Sequence, residues 1–194
     1  MRVIAGTAKA RRLETLQGQA VRPTADRVKE AVFSVIQFDI QGRRVLDLFA
    51  GSGALGIEAL SRGAKSVAFV DISPQAVEVV RRNLETVGLA QKAAVHKGNF
   101  ESFLNVSTEI FDIVFLDPPY RKNLIPKALP LLADRLSDYG MVICEYAADE
   151  QVPETTGALN AVKTYRYGKT RVAVYRKPQG TPSSAFRIDI SRKE

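Results

Sequence analysis

The stretch RVLDLFAGSGALGIEAL (44–60) restricts the fold more than any other part of the chain. Its first six residues are an apolar run that reads as a strand. Gly51-x-Gly53-x-x-Gly56 follows at once and opens a segment of helical pattern over 54–62. Glycines there admit turns and close approaches that a Cβ would forbid, and the helix start offers free N–H groups to a ligand. A strand, a glycine loop and a helix in this order form a βα unit, which needs a parallel partner strand reached by a crossover.

The rest of the chain supplies such partners. SVAFVD (66–71) reads as a strand, and Ser73-Pro74 starts a helix as N-cap and first helical residue, with Gly88 as its stop. AAVHKG (93–98) is a short strand with a short helix near 100–106. DIVFLD (112–117) is a strand, NLIPKALPLLADRL (123–136) mostly helix, and MVICEY (141–146) a strand. This alternation predicts an α/β fold: a mostly parallel sheet with helices on both faces. AVKTYRY (161–167) and TRVAVYR (170–176) instead alternate with period two around Gly168-Lys169, which predicts an antiparallel edge hairpin and seven strands in all. Ahead of the sheet, Val28, Ala31, Val32, Val35 and Ile36 predict a helix over 25–38 with Thr24 as N-cap, so 1–40 is a basic arm plus a helix. Residues 1–177 read as one domain and 178–194 as a polar tail with a small apolar patch.

Charge is segregated along the chain. Net charge is +7, distributed as +5 over 1–44, −5 over 45–162 and +7 over 163–194. An acidic middle between basic ends fits a ligand-binding core with a polyanion-binding rim. Arg2, Lys9, Arg11, Arg12, Arg22 and Arg27 are the candidates for nucleic-acid phosphate contacts, with Lys169 and Arg171 of the hairpin as weaker ones. A single cysteine excludes an internal disulfide, and one His with one Cys argues against a transition-metal site. With no run of about 18 apolar residues and no signal-peptide pattern, a cytoplasmic protein is expected. The expected state is a monomer. Cys144 reads as a core residue and His96 as structural.

Asp71 ends the second strand twenty residues after Gly51, where a carboxylate can accept bonds from ribose hydroxyls. That much suits NAD as well as S-adenosylmethionine. Asp47, inside the strand before the loop, separates the two. A carboxylate there would repel a pyrophosphate and tolerate a cationic sulfonium, although it can also serve only to hydrogen-bond the loop. Asn99 and Phe100, in the loop after 93–98, are placed to meet an adenine amine and its ring, and Gly98-Asn99 is also an ordinary turn signal.

The strand 112–117 ends in Asp117-Pro118-Pro119-Tyr120, a turn without backbone N–H donors at its prolines. In an open α/β sheet it falls on the ligand-binding edge. The Asp117 carboxylate and the Pro118 carbonyl can hold the two N–H groups of an exocyclic base amine, whose lone pair is otherwise delocalised into the ring. Tyr120 can stack on the base, and the prolines fix the geometry in advance.

LDLFAGSGALGIEALSRGA followed by DPPY resembles Rossmann-like S-adenosylmethionine-dependent amino-methyltransferases. MRVIAGTAKARRL, RPTADRVKEAVFSVI and the late YGKT resemble more narrowly the RsmD family, which methylates N2 of a guanine, conventionally numbered 966, in 16S ribosomal RNA. The resemblance covers about residues 1–177. It implies S-adenosylmethionine as cofactor, held by Asp47, Phe49, Ala50, Gly51, Ser52, Gly53, Asp71, Ile72, Asn99 and Phe100. It also implies Asp117, Pro118, Pro119 and Tyr120 as the catalytic motif, and 16S RNA or a small-subunit particle as partner. Ala10 stands where the family often has Gly, and Asn99 where Asp is common. Three other readings remain. A DNA adenine-N6 methyltransferase is disfavoured by the lack of a target-recognition region, and a non-catalytic ribosome-assembly protein by the intact proline motif. An NAD-dependent oxidoreductase is disfavoured by Asp47.

Overall fold

The structure, a computed structural model, describes residues 1–16 and 23–178, with the side chains of 23–27 left aside. Five helices and eight strands occupy the described residues. Helix α1 (Pro23–Val35) precedes β1 (Arg44–Asp47), α2 (Ala54–Ser61), β2 (Ser66–Asp71), α3 (Pro74–Val87), β3 (Ala93–Lys97) and α4 (Phe100–Val106). Then come β4 (Phe111–Leu116), α5 (Leu124–Leu132), β5 (Leu136–Ala147), β6 (Thr155–Thr156), β7 (Leu159–Tyr167) and β8 (Thr170–Arg176).

One sheet holds every strand in the order β3-β2-β1-β4-β5-β8-β7-β6. The first five are parallel, and β8 pairs antiparallel with β5 and with β7. One core forms where α1, α2 and α3 cover one face, and includes Phe33, Ile57, Phe69 and Phe115. A second forms under α4 and α5 on the opposite face, with Leu46, Leu129, Val142 and Tyr175. The doubly covered parallel sheet expected from the alternation is therefore present.

Four expectations need correction. The sheet has eight strands, not seven, because Thr155 and Thr156 pair with Asn160 and Leu159 around Gly157. Two residues of backbone pairing leave no side-chain periodicity to read. Strand β5 begins at Leu136 rather than 141, since Leu136 pairs with Phe111 across a register shift. Within this stretch a Cβ on Gly140 would lie 2.7 Å from Leu136 and 3.0 Å from the Asp112 carbonyl, so only glycine lets the strand pass there. Helix α1 starts at Pro23, whose fixed φ suits a first helical position, so Thr24 lies inside the helix and is not its N-cap. It ends at Val35 rather than at 38. Ser73 does cap α3, accepting from the Ala76 N–H, and Gly88 closes it at φ 73°.

Residues 1–16 form a small hairpin bridged at Arg2 and Arg12. Glu58 of α2, fully buried, accepts the N–H groups of Ile4 (2.7 Å) and Ala5 (3.0 Å). Arg62 donates to the same carboxylate, and Lys29 lies 3.6 Å from it while donating to the Arg2 carbonyl. Asn83 of α3 donates to the carbonyls of Glu14 and Ser52, tying the returning arm to the glycine loop.

Candidate functional site

The strand order reverses between β1 and β4, and a cavity of about 640 Å³ opens at the carboxyl ends of these strands. A crevice at the switch point is where ligands bind in such sheets, and the volume suits a small-molecule ligand. The cavity is lined by Asp47, Phe49, Ala50, Gly51, Ser52, Asp71, Ile72, Asn99, Phe100, Asp117, Pro118, Pro119 and Tyr120. Gly53 is the one proposed cofactor residue outside this lining. It is the αL cap of α2 at φ 76°, where a Cβ would press on Val80 and Ile57 at 3.2–3.3 Å. Its role in the structure is to let the loop turn.

The loop is shaped by carboxylates. Asp71 accepts the Gly51 N–H (2.8 Å) and the Ser73 N–H (2.8 Å), which sets the glycine turn against the next helix start. Asp47 accepts the Gly56 N–H at 2.9 Å. The loop-bonding role thus exists, and the same buried carboxylate also faces the cavity. Gly56 has a separate purpose: a Cβ there would meet the Phe69 ring at 2.2 Å, so α2 can lie on β2 only without one. Burial is the main cause that pushes the Asp47 carboxyl up to about 7; Asp71 adds to the rise and the Gly56 N–H opposes it.

Asn99 caps α4 by accepting the Glu101 N–H at 2.8 Å, and its exposed side chain stays at the cavity wall. Phe100 is buried, its ring 5.3 Å from that of Phe49. Ile72 is 69% exposed, an apolar side chain held out over the opening.

Across the cavity, Asp117 is open to the cavity solvent while protein surrounds it on its other sides. That confinement, then Glu145 and Asp47 nearby, raise its carboxyl well above the ordinary range, and the solvent reaching it moderates the rise. Tyr120 donates its hydroxyl to Glu145 at 2.8 Å, with the Thr170 hydroxyl 3.4 Å away. Glu145 is also raised, by burial. The following loop is clamped: Arg121, at φ 61°, donates its N–H to Glu150 and its guanidinium to Asp149 at 2.9 Å.

Several site residues were not foreseen. Met1 and Leu16 bring the arm to the cavity, and Leu124 closes its floor. Glu145 carried a readable signal, an acid inside the apolar run MVICEY, of the kind that singled out Asp47. Arg2, Lys9, Arg11 and Arg12 are exposed on the arm. Arg22 and the side chain of Arg27 lie outside the described residues. Cys144 is buried, with its thiol pushed up by burial. His96 packs its ring 5.1 Å from Phe103, and its buried Nε2 has no hydrogen-bond partner among the described residues.

Three carboxylates therefore face one cavity, and among the described residues no Lys or Arg lines it. Such a wall repels a pyrophosphate and accepts a cation. Apolar surfaces at Phe49, Ile72 and Phe100 suit a flat aromatic ring. These residues fit S-adenosylmethionine and do not fit a dinucleotide.

Comparison with known proteins agrees with that chemistry. The family model described as Conserved hypothetical protein 95 matches residues 1–176. Ribosomal RNA small subunit methyltransferase D of Escherichia coli K12 is 36% identical over 155 residues, covering 79% of this chain and 78% of that protein. YlbH of Bacillus subtilis 168, provisionally named an rRNA methyltransferase, is 42% identical over 183 residues, covering 91% of this chain and 99% of its own. The solved structure of Escherichia coli yhhF, provisionally named a methyltransferase, superposes with a TM-score of 0.82 at 32% identity over 91% of this chain and 97% of that one. With the fold, the cavity and these relatives in agreement, the chain belongs to the Conserved hypothetical protein 95 family, the RsmD family of rRNA methyltransferases.

Proposed function

We propose that this protein uses S-adenosylmethionine to methylate the exocyclic N2 amine of a guanine in small-subunit ribosomal RNA, the one conventionally numbered 966. The observation that carries the reading is the cavity itself. Asp47, Asp71 and Asp117 converge without a Lys or Arg among the described lining residues, beside a donor-free Pro-Pro turn. The relatives named as rRNA methyltransferases support RNA as the substrate class.

When bound, S-adenosylmethionine supplies an electrophilic methyl carbon on a positively charged sulfur. Asp71 is placed for the ribose hydroxyls, Ile72 and Phe100 for the adenine faces, and Asp47 for the positive charge. Asp117 and the Pro118 carbonyl accept the two N–H groups of the target amine and turn its nitrogen lone pair toward the methyl donor. The rigid prolines hold both acceptors before the base arrives. Glu145 fixes the Tyr120 hydroxyl, so the ring is held as a stacking surface for the guanine. The amine becomes acidic only as its bond to carbon forms, and a carboxyl raised like that of Asp117 is suited to take the released proton or pass it to water. The guanine must leave its stack to enter. We further propose that residues 1–177 act as one catalytic domain in the cytoplasm, working as a monomer.

The test is to supply methyl-labelled S-adenosylmethionine with naked 16S RNA, small-subunit particles or duplex DNA, and to identify the modified base by mass spectrometry. N2-methylguanine in RNA is expected; label confined to DNA or to another base overturns the reading. Asp117→Ala is expected to bind cofactor normally and lose at least about a hundredfold in transfer rate.

A further inference from the structure

Strand β7 bears a surface that the methyl-transfer site does not use. Lys163, Tyr165 and Tyr167 stand at alternate positions and so share one face of the strand. The two tyrosine rings are nearly parallel, 19° between planes and 6.4 Å between centroids, and the Lys163 ammonium sits 5.0 Å over the Tyr165 ring. Both rings pack against the core beneath and remain partly accessible.

Position connects this strip to the cavity. Tyr167 pairs with Thr170, whose hydroxyl is 3.4 Å from that of Tyr120, so the strip starts at the edge of the sheet that holds Tyr120 and runs along β7 away from it. Strand β6 covers only Leu159 and Asn160, so Lys163–Tyr167 lie on an edge that no described strand occupies. Between Thr155 and Arg176 the chain has no Asp or Glu, while its basic residues are Lys163 on the tyrosine face, Lys169 in the adjoining turn, and Arg166 and Arg171, which pair with each other on the opposite face. None of these four makes an ion pair among the described residues. Lysines on an edge strand also discourage sheet-to-sheet aggregation, but that need does not call for two parallel, partly accessible aromatic rings beside them.

Resting on the RNA reading above, we propose that β7 is a stacking platform for single-stranded RNA flanking the target nucleotide. Tyr165 and Tyr167 each receive a base, and Lys163 on the same face, with Lys169 in the adjoining turn, receives phosphates. Aromatic faces set in a positive groove are how proteins hold unpaired nucleic acid with little sequence preference. A target guanine drawn into the cavity leaves unstacked neighbours, and a platform leading away from the cavity gives them a surface.

Binding of a fluorescent single-stranded RNA of about a dozen nucleotides tests this by anisotropy, with wild type, the Tyr165→Ala/Tyr167→Ala pair and the Tyr165→Phe/Tyr167→Phe pair. The alanine pair is expected to weaken binding about ten- to a hundredfold with S-adenosylhomocysteine affinity unchanged, and the phenylalanine pair to bind within about threefold of wild type, since stacking needs the ring and not the hydroxyl. An alanine pair that keeps both its cofactor affinity and full RNA affinity overturns the platform. Photocrosslinking of 4-thiouridine RNA to the wild-type protein covers the case in which the variant does not fold. Adducts on Tyr165 or Tyr167 support the platform, and adducts confined to other segments overturn it. A wild type that methylates RNA while failing these tests loses only the platform; one that neither binds nor methylates RNA loses the substrate reading as well.

Discussion

At the scale of single residues, Asp47 is a buried carboxylate that bonds the glycine loop and faces the cavity, so its protonation depends on what the cavity holds. Its carboxyl is raised to about 7, while an unfolded chain would release that proton near its ordinary value of 3.8. Between about pH 4 and 7 the folded protein holds the proton more tightly, so the ligand-free protein loses stability as pH rises through that interval. Asp117 acts in the same direction. A cationic ligand reverses the preference by favouring the ionised carboxylate. We therefore expect S-adenosylmethionine affinity to fall by up to about tenfold per pH unit below about 7, with proton release on binding. S-adenosylhomocysteine, neutral at sulfur, should show a shallower dependence, and Asp47→Asn should flatten both. Calorimetric titrations in buffers of different ionisation heat check this; equal slopes for the two ligands would refute it. Asp47 was legible in the sequence because an acid inside an apolar strand is conspicuous. Its bond to the Gly56 N–H was not, because only the helix position decides which amide it reaches.

At the scale of elements, the arm 1–16 illustrates what local pattern omits. It has too few apolar residues to fold by itself, and beside its own hairpin bonds the N–H groups of Ile4, Ala5 and Ala8 are met by Glu58 and Ser61 of α2. Ala10 sits in the arm's turn at φ 68°, a left-handed conformation that favours glycine. Glu58→Gln keeps the shape but turns one acceptor into an amide donor facing N–H groups. The expected loss is about 1–3 kcal/mol in urea unfolding, together with faster proteolysis within 1–16. Unchanged stability would mean that the arm is held by other contacts. The regular βα units were readable because their periodicity and caps agree locally, as at Ser73 and Gly88. The two-residue β6 and the first half of β5 were not, since their partners lie far along the chain.

At the scale of the whole molecule, charge is divided between the cavity and the rim. The acidic middle of the chain supplies the cavity, and the exposed basic residues of the arm and the β7–β8 hairpin lie outside it. RNA affinity should therefore fall steeply with salt, by at least about three decades per tenfold rise in concentration. Each arm or hairpin Arg→Ala change should reduce that slope by about 0.7. Cofactor affinity should shift by less than about threefold over the same range, because its partners are confined within the protein. Titrations at several salt concentrations measure both, and a flat RNA dependence would count against the basic rim.

The sequence by itself determined the parallel sheet, the glycine loop, its flanking carboxylates and the proline turn, because each is written in adjacent residues whose backbone chemistry allows little else. Only the tertiary structure decided that Asp47 reaches the Gly56 N–H, that Glu145 reaches Tyr120 from the neighbouring strand, and that Glu58 receives the arm. Those contacts join residues of different elements, and strand order with helix packing, rather than any local preference, brings them within hydrogen-bond reach.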